Sequence, residues 1–476
     1  MASPNISFES IPSSIRKPGA YMEFNTRLAV RTLPSNKQRL LIFGQRMAAG
    51  TVAAGVATRV FSDADAGAFF GRGSQLHLMI KAAIQANRYV EITAVAADDA
   101  GSSARAVGSL TFAGTASNAG EITVYIGGEP TSVAVPAQTT AADAATSVMQ
   151  ALALQLDLPC TFAKDPGNTS KVDCTAKNAG TVANGLRIDV AANVPGITVS
   201  VTQPTGGATN PDFAPLYAQM VAASDEILVV PFAIQAPLTA LRTHIDSRSG
   251  AIEQRGCIGV YGITGTLSEA TTLAGQLNAG RITGAFMPGC PTPSYMVAAA
   301  YAAVIASEED PARPLNNLAL TGVRPPALPS RLTRTEQEAC LANGVTPLQV
   351  GPGEVVQIVR AVTTYTLNAA GALDISLLDL TTIRTLDYVR RSCRERIVLR
   401  FPRDKLSQRT PAKVRSELYD VLIKLEELEI VEAVENNKDG LIVERDSQDP
   451  NRLNARIPTD VVNGLHVFAG RIDLLL

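Results

Sequence analysis

Four near-continuous apolar runs constrain this chain most: LLIFGQ (40–45), DEILVVPF (225–232), CIGVYGIT (257–264) and RITGAFMPG (281–289). A strand with one wet face alternates polar and apolar residues, whereas a strand apolar on both sides has to be covered on both sides. The last three runs each lead into a helical pattern: PLTALRTHIDSR, SEATTLAGQLNA and the Ala-rich stretch from Tyr295 to Ala306. Strands of this kind alternating with helices predict a parallel sheet wrapped in helices, an α/β domain. Helical stretches at 63–70 and 74–87 and the strand YVEITAVA (89–96) extend the same sheet.

Between 101 and 211 the pattern changes. GSLTFAGTA, EITVYIGG, TSVAVPA, TFAKD, KVDCTAKN, LRIDVAA and GITVSVTQ read as short strands separated by turn residues. One helix interrupts them, TAADAATSVMQALALQL, with Thr140 and Asp143 as its cap and Val148, Met149, Leu152 and Leu156 as its apolar stripe. The flanks DDAGSS and PTGGATNPD are polar and rich in turn formers, so this mostly-β module is read as an insertion into the α/β domain. From 327 onward the chain reads α+β. A helix, TRTEQEACLANG, ends at Gly344, and VVQIVRAVTTYTLN follows as strand. Helices near 376–394 and 412–428 come next, then three terminal strands. A chain of 476 residues exceeds one hydrophobic core. The expected divisions are an N-terminal arm (1–37), the α/β domain in two parts (38–100 and 212–326), the insertion (101–211), a C-terminal domain (327–463) and a C-terminal arm (464–476).

The chemistry is mostly exclusion. Lys+Arg 42 balance Asp+Glu 44 and there is no Trp, so the basic surface and stacking platform of a nucleic-acid binder are missing. The twelve apolar residues 295–306 are too few to cross a bilayer, and MASPNISFES resembles no secretory signal, so no membrane contact is expected and synthesis is placed in the cytoplasm. No Gly-Lys pair exists for a P-loop, and Gly256, Gly259, Gly262 and Gly265 are spaced for turns and close packing, not for a dinucleotide. Six cysteines without a C-x-x-C pair are expected as buried free thiols; Cys160 and Cys174 face each other across a hairpin but are not expected to bond in a reducing compartment.

Three histidines occur. His77 in LHLMI is expected in the core and His466 in a structural strand position. His244 lies in HIDS beside Asp246 and Ser247, but neighbouring helix positions point apart and cannot make a triad; it is expected to be solvated or capping. Glu308, Glu309 and Asp310 close the Ala-rich helix, where negative charge opposes the helix dipole. They read as a hydrated cluster first, an intersubunit bridge through Arg313 second and a metal site last. No catalytic residue, metal or cofactor is expected.

The two ends carry the remaining signal. After Pro12 and Pro18, the stretch AYMEFN sets Met22 and Phe24 against Tyr21 and Glu23. At the other end, LHVFAGRIDLLL sets Phe468, Ile472 and Leu474 against Arg471 and Asp473. Both have the period of a half-buried strand, though chain ends usually fray.

SIPSSIRKPGAYMEFNTRLAV, AAYAAVIASEEDPARPLNNLALTGV, LANGVTPL and FAGRIDLLL, in this order, resemble the tail sheath proteins of contractile-tailed bacteriophages, above all the Mu-like group. The resemblance implies a structural subunit stacked in six-membered rings around a tail tube, with baseplate and tail terminator proteins as further partners. It implies a central α/β domain of subtilisin-like topology without a triad. It also implies arms that join a neighbour's C-terminal domain in one sheet, which assigns Tyr21, Met22, Phe24, Val467, Phe468, Arg471, Ile472 and Leu474 to intersubunit contacts. The C-terminal domain would line the tube, with Lys413, Arg415, Glu417, Lys424 and Glu426 as candidate contacts, or an ordinary solvated helix face as the alternative. The sheath of a bacteriocin or secretion system is the runner-up; a subtilisin-like hydrolase and a surface adhesin are remote alternatives.

Overall fold

The structure, a computed structural model, describes residues 14–22 and 33–474. Its contacts define two compact units. One comprises Asn36–Val389, Glu429–Ala433 and Thr459–Leu476; the other comprises Arg390–Leu428, Val434–Pro458 and the N-terminal residues up to Ser35.

The larger unit begins with β1 (Arg39–Gln45), β2 (Ala57–Val60), α1 (Asp63–Phe70), α2 (Gln75–Ala86) and β3 (Glu91–Ala97). The insertion follows: β4 (Val107–Gly114), β5 (Gly120–Ile126), β6 (Glu129–Val135), α3 (Ala141–Leu154), β7 (Cys160–Asp165), β8 (Asn168–Ala176), β9 (Ile188–Asn193) and β10 (Ile197–Thr205). The chain then alternates: α4 (Ala214–Gln219), β11 (Ile227–Val229), α5 (Gln235–Ser249), β12 (Ile258–Ile263), α6 (Leu267–Leu277), β13 (Ile282–Phe286), α7 (Ser294–Ser307), α8 (Arg334–Ala342), β14 (Thr346–Gly351) and β15 (Val355–Ile358).

One eight-stranded sheet results, in the order β15-β14-β13-β12-β11-β1-β3-β2. From β14 to β3 neighbouring strands run parallel; the edge strands β15 and β2 are antiparallel to theirs. Each inner strand is buried on both faces, as its apolar run requires. In β1, Leu40 and Ile42 join the core beneath α2 and α7, while Leu41 and Phe43 join the opposite core beneath α4, α5 and α6. Helix α7 is buried along its whole first three turns, and Gly262 lets it lie against β12: a Cβ there would come 2.2 Å from the Ser294 carbonyl oxygen. The insertion forms a four-stranded sheet (β10-β4-β8-β7) and a three-stranded sheet (β6-β5-β9), with a separate core of Leu110, Phe112, Ile122, Val124, Val148 and Leu152.

Several sequence expectations shift. The sheet runs past 326, because β14 and β15 belong to it; Pro347 inside β14 masks the strand in the sequence, since proline is normally confined to sheet edges. Thus the break expected at 326/327 does not separate two sheets. Strand β2, four residues long and mostly exposed, was not anticipated at all. Helix α3 stops at Leu154, so Leu156 lies beyond the stripe and is exposed. Cys160 pairs with Ala176 and Cys174 with Phe162, two residues apart in register, and all six cysteines are free and buried.

The smaller unit holds the last turns of α9 (Leu380–Arg400), α10 (Thr410–Glu427), α11 (Val434–Asn437) and the hairpin of β17 (Ile442–Arg445) and β18 (Leu453–Arg456). In the larger unit, β16 (Val431–Glu432) pairs with β19 (Asp460–Val461). Helix α9 begins four residues later than expected and continues to Arg400.

Candidate functional site

An open α/β sheet binds ligands at the carboxyl ends of its strands, where the strand order reverses. Here that point lies between β1 and β11, and the insertion fills it. Gln45, at the end of β1, donates from Nε2 to the carbonyl of Ala179 (2.7 Å) and to Asp99 Oδ1 (2.7 Å). Asn178 accepts the Gln75 N–H (2.8 Å) and donates to the Arg46 carbonyl (3.0 Å). A neighbouring cavity of about 390 Å³ lies beside Pro231, Ile263, Gly265 and Ser294. Glu269 lines it, but its carboxylate accepts the Thr266 N–H (2.7 Å) in the capping box of α6.

No histidine reaches this place. His77 is buried, as expected, with Nδ1 accepting the Gly73 N–H (3.0 Å) and Nε2 lying 3.0 Å from Asp63 Oδ1; burial pushes its pKa down. His244 corrects the expectation of a solvated or capping residue. It is buried, stacked on Tyr217 at 5.8 Å, and held at a pKa of about 4 by burial and the nearby Arg248. Among the described residues no cluster of His, Cys, Asp or Glu is placed to hold a metal ion.

The acidic turn after α7 is neutralised by a residue the sequence reading did not single out. Arg384, in α9, donates from Nη2 to the carbonyls of Glu308 (2.6 Å) and Ile305 (3.5 Å), where the helix dipole is negative. Its signal was present: Arg384 occupies a stripe position of α9 between the buried Leu380, Ile383 and Tyr388. Arg313 lies 3.7 Å from Glu308 within the same chain.

The candidate tube-facing residues on α10 are engaged inside the smaller unit. Arg415 donates to the carbonyls of Leu441 (2.8 Å) and Lys438 (2.7 Å), and Glu417 accepts from Arg396 (3.1 Å). Lys424 pairs with Asp420 (2.9 Å), and Glu426 accepts the Val434 N–H (3.0 Å). Lys413 is exposed, and among the described residues no such side-chain contact holds it.

The chain ends behave differently. Tyr21 donates to the nearby Lys17 carbonyl (3.0 Å), and Met22 is 91% exposed; Phe24 lies outside the described residues. At the C-terminus no strand is formed over 462–474 in this chain. Phe468 is 87% and Ile472 98% exposed, Val467 and Leu474 are similarly bare, and Arg471 pairs with Asp473 (2.6 Å). The apolar side of the predicted strand is therefore left uncovered among the described residues.

Residues 206–364 match the family of phage tail sheath protein central domains, and residues 374–474 match that of phage tail sheath C-terminal domains. The chain belongs to the phage tail sheath family. It is 34% identical, over 99% of its length and the whole of the relative, to the Mu-like prophage FluMu tail sheath protein of Haemophilus influenzae. Its fold is similar to the sheath tail protein of Listeria innocua (TM-score 0.52, 12% identity, 92% of this chain and 94% of that one). It is also similar to that of Desulfitobacterium hafniense (TM-score 0.51, 13% identity, 94% and 97%). This is a structural protein of a phage tail and not an enzyme.

Proposed function

We propose that the chain assembles with copies of itself into stacked six-membered rings around a tail tube and contracts to drive that tube through the host envelope for genome delivery. The observation that carries this reading is the C-terminal stretch, patterned as a strand yet bare and unpaired, in a member of the sheath family. A hairpin of two strands, β17–β18, is marginal alone and has edges to offer. Arms from neighbouring copies, residues 1–37 and 464–476, would complete it by strand addition.

Backbone hydrogen bonds contribute only about 0.5–1.5 kcal/mol each, while ordering a free residue costs roughly 1–2 kcal/mol. Side-chain burial, at about 1.5–3 kcal/mol for a Phe, Ile or Leu, therefore decides whether the arm docks. Head-to-tail contacts of this kind propagate as rings or helices.

In this reading the central sheet has a subtilisin-like topology without a triad. Contraction swings the sheet and its insertion as a rigid body while the paired arms act as hinges. The polar contacts of Gln45, Asp99 and Asn178 support moving sheet and insertion together. The tail tube, baseplate and tail terminator are the further partners, and assembly takes place in the bacterial cytoplasm before incorporation into the virion tail. The test is deletion of 465–476 followed by negative-stain imaging of the purified protein. Loss of rings and striated tubes is expected; normal tubes from the truncated chain would sink the arm-exchange reading.

A further inference from the structure

We infer that His466 is a clasp fixing the root of the C-terminal arm, so that the free arm begins at Val467. This rests on the arm reading above, but its geometry lies entirely within one chain. Three observations converge. First, the backbone is tied down as far as Val462: β19 pairs with β16, and the Val462 N–H reaches the Ile430 carbonyl at 3.4 Å. Second, Gly464 packs so closely on the segment after α7 that a Cβ there would lie 2.6 Å from Pro314 Cγ. Third, the His466 side chain is only 13% exposed, between Leu465 and Val467, which are 80% and 79% exposed.

The imidazole is held from two sides. Asn316 Nδ2 lies 3.0 Å from Nδ1, so the amide donates and the ring proton is left on Nε2, 3.5 Å from Asp379 Oδ1. Asp379 is itself fixed by Arg360, whose Nε and Nη2 reach its two oxygens at 3.1 and 2.6 Å. Burial alone would raise the Asp379 carboxyl; the adjoining His466 and the hydrogen-bonded Arg360 outweigh it and hold the group at about 2. The foundation is the edge of the main sheet, since the Asn317 N–H bonds to the Ile358 carbonyl of β15 (2.8 Å).

A clasp at this position sets a length. Leu474, the last apolar position of the strand pattern described, lies eight residues beyond His466, and eight fully extended residues span about 26–29 Å. The neighbour's receiving edge must then lie within that reach in every state of the assembly. If the clasp opened back to Val462, four more residues would pay out about 13–14 Å, enough to let the arm take a wrong edge or register.

The test places a nitroxide at Leu465 through Leu465→Cys in the full-length chain, where all six native cysteines are buried. Label motion is compared in the parent, His466→Ala and His466→Gln, the last retaining one acceptor and one donor. Restricted motion is expected in the parent and the glutamine variant, and a mobile spectrum in the alanine variant. The concentration for half-assembly should rise several-fold with His466→Ala and return toward the parent with His466→Gln, a rescue that mere loss of packing would not give. Equal label motion in parent and alanine variant overturns the clasp; a freed label with unchanged assembly overturns its length-setting role. A chain cut after His466 tests the arm reading separately: tubes formed without Val467–Leu476 refute arm exchange and leave the label result standing.

Discussion

The central sheet and the C-terminal hairpin are both built from short strands, and they differ in whether their own chain completes them. In the sheet, inner strands are covered on both faces, and the outer edge of β15 is met by the segment around Asn317 and Leu320. Among the described residues the hairpin has two strands, and apolar side chains of the terminal stretches, Met22, Phe468 and Ile472, stand bare. The first region owes its stability to apolar burial within one copy. In the second, α10 buries Val414, Leu418, Val421, Leu422 and Leu425, and the Arg396 ion pairs with Glu417 and Asp420 tie α10 to α9. The contrast can be broken at four places, ordered by the expected effect on the isolated chain.

The largest effect belongs to the sheet. Phe286, in β13, is fully buried between strands and helices. Phe286→Ala is expected to cost about 3–5 kcal/mol, read as a lower midpoint of thermal or denaturant unfolding. A loss under about 1 kcal/mol would show that the sheet is not the self-sufficient part.

The smaller unit should answer to charge as well. Arg396, buried on α9, bridges Glu417 (3.1 Å) and Asp420 (2.6 Å) of α10. Removing one partner strands the others, and because both carboxylates retain some solvent contact the cost of Arg396→Ala is expected at about 2–3 kcal/mol. Denaturant unfolding checks this. Arg396→Met combined with Glu417→Gln and Asp420→Asn should recover most of the loss.

The third test uses acid. His244 has its folded pKa depressed to about 4, below the ordinary value of 6.5, and His77 is shifted in the same direction by burial. The unfolded chain therefore takes up these protons first, so stability is complete above about pH 6.5 and declines as pH falls toward 4. For His244 the decline is expected at roughly 2 kcal/mol. His244→Phe, which keeps the stack on Tyr217, should flatten the fall in unfolding temperature between pH 6.5 and 4.5, leaving the part due to His77.

How much of this was legible follows the same division. Runs such as LLIFGQ and CIGVYGIT announce strands buried on both sides because the burial is written in every residue. Strand β14 was hidden by Pro347, and β2 by its brevity and exposed edge pattern. His244 was misjudged because HIDS is polar locally, while its cover, Tyr217, comes from another helix. The Asn316–His466–Asp379 cluster joins three distant segments, and no spacing in the sequence encodes such a meeting. On the tail the pattern was plain; in the proposed reading its partner is another copy, and a strand completed in that way leaves half its information outside the chain.

The smallest effect on the isolated molecule is expected on that tail. Phe468 and Ile472 touch almost nothing, so changing both to Ser should alter unfolding of the isolated chain by no more than about 0.5 kcal/mol. Assembly should respond in the opposite way, because the two side chains lie on the same side of an extended strand and would fill a neighbour's apolar face. Arg471→Ser, on the other side, supplies the control and should leave assembly nearly intact. Sedimentation and negative-stain imaging of the three chains read the result. Equal assembly by the double variant and the control would mean that strand period at the C-terminus carries no side preference, and the hairpin would then have to be completed by something other than this arm.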